Sequence, residues 1–256
     1  MLGLFFGCLL VAFGPAASFL LLIVLHHSHL TVLCIVAAFF ELIGLLATSI
    51  IWYVIPDGFS GRSATALVVG VFFQELARLG FVLAYGKGEF GLAKVTGLPE
   101  LPFSDFASSL SSGFGFGLMY ALMMFGSVLG SSLGEADLRL DSCPDTSLFF
   151  VNALVTLAME VLHVALMVLA FDAIRRDSVT VRRLGRYLFV FVFHLLASLS
   201  TLFNVDASIG GCFVGVPLVY VVVVLASLYT ASVVRRPDYK IRGSFQTLRN
   251  NGIDGR

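Results

Sequence analysis

The segment LFFVNALVTLAMEVLHVALMVLAFDA, residues 148–173, indicates the fold class of this 256-residue chain. Apart from Glu160, His163 and Asp172 it is almost entirely apolar. A helix rises about 1.5 Å per residue, so a segment of this length exceeds the roughly 30 Å hydrocarbon core of a bilayer. We expect residues 148–173 to form a helix that crosses a membrane.

Six further apolar segments of similar length lie on either side of this one. They cover residues 2–25, 31–54, 64–85, 107–133, 184–203 and 210–234. Over the whole chain, hydrophobic residues make up 58% and charged residues 12%, and the mean hydropathy is +0.97. A soluble domain is about half apolar and a quarter charged, so this composition excludes one. We predict an all-α membrane protein, a polytopic bundle of seven transmembrane helices.

The positions of the basic residues predict the orientation of this bundle. With the N-terminus outside the cytosol, thirteen Lys and Arg fall on the cytosolic side, against Arg62 and Arg139 on the other. Cytosolic loops carry an excess of basic residues. We therefore expect a lumenal or extracellular N-terminus and a cytosolic C-terminus. Residues 1–236 then form the transmembrane domain, and the polar residues 237–256 form a short flexible cytosolic tail.

Charged residues inside the predicted helices are costly in a bilayer and therefore informative. The third helix contains Gln74, Glu75 and Arg78. Glu75 and Arg78 are three residues apart, so their side chains share a helix face and can form an ion pair. Glu41, in the middle of the second helix, has no evident partner in the sequence. We expect it to be either protonated or hydrogen-bonded to another helix.

Two histidines are predicted to lie near the middle of the membrane. His163 is ten residues from the cytosolic end of the fifth helix, and His194 is ten residues from that of the sixth. Both are then about 15 Å deep. Consecutive antiparallel helices are often neighbours, so the rings can meet, with Glu160 one turn from His163. This favours a hydrogen-bonded polar cluster over a metal site, because a metal site requires more ligands.

The fourth helix carries two rows of small residues at four-residue spacing. They are Gly113, Gly117 and Ala121 in one half, and Gly126, Gly130 and Gly134 in the other. Small residues at this spacing let helix backbones approach closely. The rows are thirteen residues out of step, which is about 220° around a helix. We therefore predict that this helix packs against two different neighbours.

The sequence contains no recognisable catalytic constellation. Gly130-x-Ser132, together with His194, is superficially similar to rhomboid proteases, but Leu133 stands where their motif requires Gly. Aspartyl intramembrane proteases need Gly-x-Gly-Asp, which is absent, and Asp172 lies at a helix end. We expect a protein that is not an enzyme and that needs no metal or other cofactor.

Two cysteines are predicted to lie on the same side of the membrane. Cys143 and Cys212 both fall on the lumenal side in the expected orientation. A disulfide between them is compatible with an oxidising compartment. Two free thiols that behave as small apolar groups are the alternative.

Motifs spread along the chain carry a family resemblance. They are Phe5-Phe6-Gly7-Cys8 and Ala12-Phe13-Gly14-Pro15-Ala16 in the first helix, Gln74-Glu75-x-x-Arg78 in the third, Gly113-Phe114-Gly115-Phe116-Gly117 in the fourth, Leu162-His163 and Phe171-Asp172-Ala173-x-x-Arg176 in the fifth, and His194-Leu195-Leu196-x-Ser198 with Thr201-Leu202-Phe203-Asn204 in the sixth. In this order they resemble the Aph (anterior-pharynx-defective) family, the seven-helix subunit of the γ-secretase protease.

The resemblance implies a non-catalytic scaffold. Such a subunit binds nicastrin early in assembly and receives presenilin, the aspartyl protease, while Pen-2 completes the complex. It supports presenilin maturation and the intramembrane proteolysis of type I membrane proteins, including Notch-type receptors. The implied locations are the endoplasmic reticulum, Golgi, endosomal and plasma membranes. By resemblance, Gly113 and Gly117 serve helix packing during assembly, and His163 and His194 support assembly and the activity of the catalytic subunit.

The chain departs from the family pattern at several positions. Ala121 stands where the family commonly has Gly, Glu41 where an apolar or aromatic residue is usual, and Glu160 adds a carboxylate beside His163. Two other classes stay open. One is a seven-helix receptor, and the other is a membrane hydrolase or transporter that uses Glu160, His163 and His194.

Overall fold

A computed structural model describes residues 2–54, 62–96, 104–134, 138–176, 180–205 and 211–236. These residues form seven long helices. In chain order they are α1 (Leu2–Phe19), α2 (Ser28–Val54), α3 (Arg62–Thr96), α4 (Asp105–Ser131), α5 (Leu148–Arg176), α6 (Thr180–Ser200) and α7 (Cys212–Val234). A π-helical segment, Leu20–Val24, extends α1, and a 3₁₀ segment, Thr201–Val205, extends α6.

All seven helices are long and apolar enough to cross a membrane. The predicted fold, an all-α bundle of seven transmembrane helices, is confirmed. Between α4 and α5 the chain forms a short antiparallel hairpin of β1 (Arg139–Leu140) and β2 (Cys143–Ser147), which the sequence analysis did not predict. The orientation of the bundle stays a prediction, and the predicted tail lies outside the described residues.

Helix α5 lies at the centre of the bundle. It packs against α1, α3, α4, α6 and α7. In the most apolar part of α5, 72% of the residues are buried inside the protein, whereas the other helices reach at most 44%. The apolar segment 148–173 is therefore part of the helix that the other helices surround.

Two helices are longer than their apolar segments predict. The expected third helix ends at Tyr85, but α3 continues to Thr96, and α6 begins at Thr180 rather than at residue 184. Hydropathy marks where a chain leaves the apolar core, and a helix can continue beyond that point if its polar groups find partners. The prediction was therefore wrong about where these helices end.

Ion pairs hold the extension of α3 against the bundle. Arg175 of α5 donates from its terminal NH₂ to Glu89 of α3 at 2.7 Å and from Nε to Asp105 at the start of α4 at 3.0 Å. Its guanidinium also lies over the Tyr85 ring, 5.3 Å from the centroid. One side chain of α5 thus joins the ends of α3 and α4.

A disulfide closes the other end of the bundle. Cys143 of β2 and Cys212 at the start of α7 are bonded, with their Cα atoms 6.0 Å apart. Beside them, Gly211 adopts a left-handed φ of +56°, and a Cβ there would collide with the backbone of Ser142. Glycine is favoured at this position because it tolerates both the dihedral angle and the close approach. Of the two alternatives that the sequence left open, the structure has the disulfide.

We predict that replacing Cys143 and Cys212 together with Ser lowers the thermal stability of the purified chain. The bond joins residues 69 positions apart, and a cross-link of this kind typically contributes about 2–4 kcal/mol. Scanning fluorimetry in one detergent measures the difference. A reductant should lower the wild-type melting temperature to that of the variant and leave the variant unchanged. Equal melting temperatures without reductant would contradict the prediction.

Candidate functional site

A cluster of polar side chains lies buried where α3, α5 and α6 meet. Its members, here called the buried polar cluster, are Glu75 and Arg78 of α3, His163 of α5, and Tyr187 and His194 of α6. Arg78, His163 and His194 are completely inaccessible, Glu75 is 2% exposed and Tyr187 is 9% exposed. Polar groups buried this deeply need partners, so their hydrogen bonds show what the cluster can do.

Arg78 uses its planar guanidinium to join α3 to α5. Its Nε lies 3.1 Å from both carboxylate oxygens of Glu75, one turn earlier on the same helix. Its two terminal nitrogens donate to the backbone oxygen of His163 at 3.2 Å and to the Nδ1 of that ring at 2.9 Å. A guanidinium can only donate, so the Nδ1 of His163 must be the acceptor. His163 is therefore a neutral ring with its proton on Nε2.

Glu75 uses its carboxylate to join α3 to α6. Oε1 accepts a hydrogen bond from the Nδ1 of His194 at 2.6 Å. The Tyr187 hydroxyl donates to the backbone oxygen of Glu75 at 2.7 Å and lies 3.2 Å from Oε2. An ionised carboxylate only accepts, so His194 carries a proton on Nδ1. The two histidines therefore use their Nδ1 atoms in opposite ways, one as acceptor and one as donor.

Aromatic rings complete the surroundings of the cluster. The rings of His163 and His194 lie edge to face, with centroids 5.0 Å apart. From α4, the Tyr120 ring lies 4.9 Å from His163, and the Phe116 ring lies 4.9 Å from the guanidinium carbon of Arg78. A cation over an aromatic face is stabilised most where water is excluded. Four helices therefore enclose the charged groups.

The geometry indicates a structural network. Both oxygens of Glu75 and all three nitrogens of the Arg78 guanidinium have partners. Among the described residues, no group of three His, Cys, Asp or Glu side chains converges on a point where a metal could bind. The Nε2 atoms of His163 and His194 have no hydrogen-bond partner within this part of the chain. The ion pair of Glu75 and Arg78 and its hydrogen bonds therefore join α3 to α5 and α6.

Within the described residues, no hydrogen bond joins two of the predicted polar residues, Glu160 and Gln74, to the buried polar cluster. Glu160 is 7% exposed, and its Oε1 has no hydrogen-bond partner among the described residues. No hydrogen bond joins it to either histidine. Gln74 lies at the interface with α2, where the Cβ of a larger residue at Gly44 would come within 3.1 Å of the Gln74 Cα. The three-residue spacing of Glu160 and His163 therefore does not produce a hydrogen bond between them.

Tyr187 is a member of the cluster that was not predicted from the sequence. This residue precedes His194 by seven positions, which is close to two helical turns and places both side chains on one face of α6. A tyrosine at this spacing was the available signal. It was not distinctive, because Tyr is common in membrane helices without any such role.

The first row of small residues on α4 lies against α5. A Cβ at Gly113 would come within 2.7 Å of the Val164 Cα, and one at Gly117 within 3.1 Å of the Glu160 Cα. Ala121 is fully buried. Between these two glycines, Gly115 faces the opposite way, and a Cβ there would collide with the carbonyl group of Cys34 on α2. Residues Gly113 to Gly117 thus bring α4 into close contact with two helices.

The second row lies on an open surface. A Cβ added at Gly126 or at Gly130 would meet no atom within 4 Å among the described residues. None of the described helices therefore provides the second neighbour expected for this row. The contact with two neighbours is made by Gly115 and the first row instead.

The fold and the buried polar cluster define the chain as a multi-pass integral membrane protein whose helices are joined by an internal ion-paired network. Its sequence matches the family described as "Aph-1 protein" over residues 3–237. The chain therefore belongs to the Aph-1 family.

Curated relatives agree with this assignment. The human protein named gamma-secretase subunit APH-1B is 30% identical over 206 residues, which cover 77% of each chain. The Drosophila melanogaster gamma-secretase subunit Aph-1 is 30% identical over 203 residues, covering 79% of this chain and 82% of the relative. The Arabidopsis thaliana protein named gamma-secretase subunit APH1-like is 27% identical over 235 residues, covering 89% and 91%.

We predict that replacing Glu75 alone with Leu destabilises the protein more than replacing Glu75 with Leu and Arg78 with Met together. The single change leaves a buried guanidinium without its counter-charge, which typically costs about 3–5 kcal/mol. The double change removes both charges. Thermal melting of the two variants and the wild type in the same detergent provides the comparison. A double variant that melts below the single variant would show that the charges do not compensate each other.

Proposed function

We propose that this chain is a non-catalytic scaffold subunit of a γ-secretase-type intramembrane protease complex. The family match over residues 3–237 carries the proposal, and the relatives that span most of the chain bear the name of this subunit. In this role it supports the maturation of the catalytic subunit and the cleavage of type I membrane proteins, including Notch-type receptors, in the endoplasmic reticulum, Golgi, endosomal and plasma membranes.

The buried polar cluster supports a scaffold more than an enzyme. An acid–base catalyst needs a group with a free position facing a substrate. The Glu75 carboxylate is held by Arg78 and His194 and is only 2% exposed. The Nε2 atoms of His163 and His194 have no hydrogen-bond partner among the described residues, but both rings are completely buried and face no open surface. The bonds of Glu75 and Arg78 join α3 to α6 and to α5, so breaking them for chemistry would also loosen the bundle. A rigid interior of this kind suits a subunit on which others assemble.

The proposed partners are a presenilin-like catalytic subunit, a nicastrin-like glycoprotein and a Pen-2-like small subunit. Transmembrane helices associate through close backbone contact at small residues. On α4, Gly113 and Gly117 pack against α5, whereas a Cβ at Gly126 or Gly130 would meet no described atom within 4 Å. Gly126 and Gly130 are therefore the better candidates for contact with a helix of another subunit. Gly113 and Gly117 affect assembly indirectly, because they stabilise the fold of this chain.

A pull-down of the tagged chain from its native membranes in mild detergent tests the proposal. Mass spectrometry should identify a presenilin-like, a nicastrin-like and a Pen-2-like protein in the eluate. A stable chain recovered alone would contradict the proposal and favour a receptor or an independent enzyme.

A variant with His163→Ala and His194→Ala should span the membrane as before but recover less of the complex. The physical reason is that Arg78 and Glu75 each lose a partner on a neighbouring helix. The readouts are complex recovery and proteolytic maturation of the catalytic subunit in cells that express only this variant. If the catalytic subunit matures normally and the complex is recovered in normal yield, the two histidines are not needed for assembly.

We predict different outcomes for the two rows of glycines. Gly117→Leu should lower both the melting temperature of the chain and the recovery of the complex, because a larger side chain would push α4 away from Glu160 on α5. Gly126→Leu with Gly130→Leu should keep the melting temperature near that of the wild type and lower only the recovery. Size-exclusion chromatography after the pull-down measures recovery, and fluorimetry measures melting.

Gly185→Leu on α6 provides the matched control. Like Gly126 and Gly130, Gly185 has no atom of the described residues within 4 Å of an added Cβ, and it is exposed. This variant should leave both readouts unchanged. Full recovery with Gly126→Leu and Gly130→Leu would show that the open row does not contact a partner.

A further inference from the structure

Glu41 is a polar residue that the buried polar cluster does not use. It lies thirteen residues from each end of α2 (Ser28–Val54), or about 20 Å from either end. Its side chain is completely buried, and neither carboxylate oxygen has a hydrogen-bond partner in the described part of the chain. A hydrogen bond to another helix, one of the two expectations from the sequence, is not formed within the described residues.

The helices packed against α2 bring few ionisable groups near this carboxyl. Arg78 and Glu75 of α3 and Tyr120 of α4 interact with it electrostatically. The π-helical segment Leu20–Val24, which also packs on α2, is entirely apolar. Among the described residues, Arg78 is the one cation that interacts with this carboxyl, and it is bonded to Glu75 and His163.

The electrostatic balance of this region leaves no counter-charge for an ionised Glu41. The charges of Arg78 and Glu75 already compensate each other. A second negative charge would be repelled by Glu75 and would draw the guanidinium away from it. An ionised carboxylate without donors is also far more costly in an apolar interior than a neutral carboxylic acid.

We infer that Glu41 is a proton-binding site inside the membrane, a carboxylic acid that keeps its proton in the folded protein at neutral pH. The proton lets Arg78 remain with Glu75 and His163, and so it preserves the bonds between α3 and α5. Loss of the proton would set two carboxylates in competition for one guanidinium. This inference concerns the chain itself and does not depend on the proposed complex.

Infrared spectroscopy of the full-length chain in lipid nanodiscs at neutral pH tests the inference. A protonated carboxyl absorbs in the carboxylic-acid C=O region, apart from ionised carboxylates, and its band shifts when H₂O is exchanged for D₂O. Glu160 is also buried with an unpartnered Oε1, so the comparison is made in a Glu160→Gln background. We expect an acid band there, its loss when Glu41→Gln is added, and its return at a shifted frequency with Glu41→Asp. Glu89→Gln is the control, because Glu89 is paired with Arg175 and its replacement should leave the acid band intact.

These measurements test whether Glu41 is protonated even if one variant folds poorly. A wild-type spectrum without any carboxylic-acid band would overturn the inference with no variant needed. So would an acid band of full intensity in the folded variant that combines Glu160→Gln with Glu41→Gln. Melting temperatures provide a second measurement, since Gln resembles the neutral acid in shape and charge. Glu41→Gln should melt close to the wild type, and a large loss of stability would show that the ionised form is the one the fold requires.

Discussion

The structure depends on a guanidinium buried where lipid excludes water. Arg78 is fully inaccessible, and nothing in a bilayer replaces the hydration that its charge has lost. Glu75 on the same helix supplies the opposite charge. This pair within one helix still leaves the terminal nitrogens of Arg78 and part of the Glu75 carboxylate in need of partners. Those remaining groups bond to His163 on α5 and to Tyr187 and His194 on α6. The need to satisfy one ion pair therefore determines which faces of three helices meet.

Close backbone contact provides the second constraint. Because lipid tails are as apolar as Leu, burial of apolar surface does little to bring membrane helices together, and close packing matters more. Gly113 and Gly117 give α5 access to the backbone of α4, while Gly115 does the same for α2. This approach also brings Phe116 over Arg78 and Tyr120 against His163. The glycines and the buried polar cluster thus support each other.

The same features relate the fold to the proposed scaffold. The interior is held by the buried polar cluster, one end by Arg175 with Glu89 and Asp105, and the other end by the Cys143–Cys212 disulfide. Because these contacts fix the bundle in its interior and at both ends, its outer faces are not needed to hold the fold together and are proposed to contact other subunits. The open surface at Gly126 and Gly130 is such a face. Glu41 belongs to the interior instead, and its proposed proton keeps the charge balance there.

The sequence by itself determined the seven spans and the pairing of Glu75 with Arg78. Both follow from local properties, namely the length of apolar segments and the three-residue spacing on one helix. It placed His163 and His194 at similar depth, but Glu160 makes no hydrogen bond to either ring, and Tyr187 was not predicted. Only the tertiary structure shows that Arg78 meets a residue 85 positions away. Among the described residues, it also leaves Glu41 without a hydrogen-bond partner and Gly126 without a facing helix. The physical reason is that these contacts depend on how whole helices rotate and pack against one another, and helical periodicity shows which residues share a face but not what that face meets.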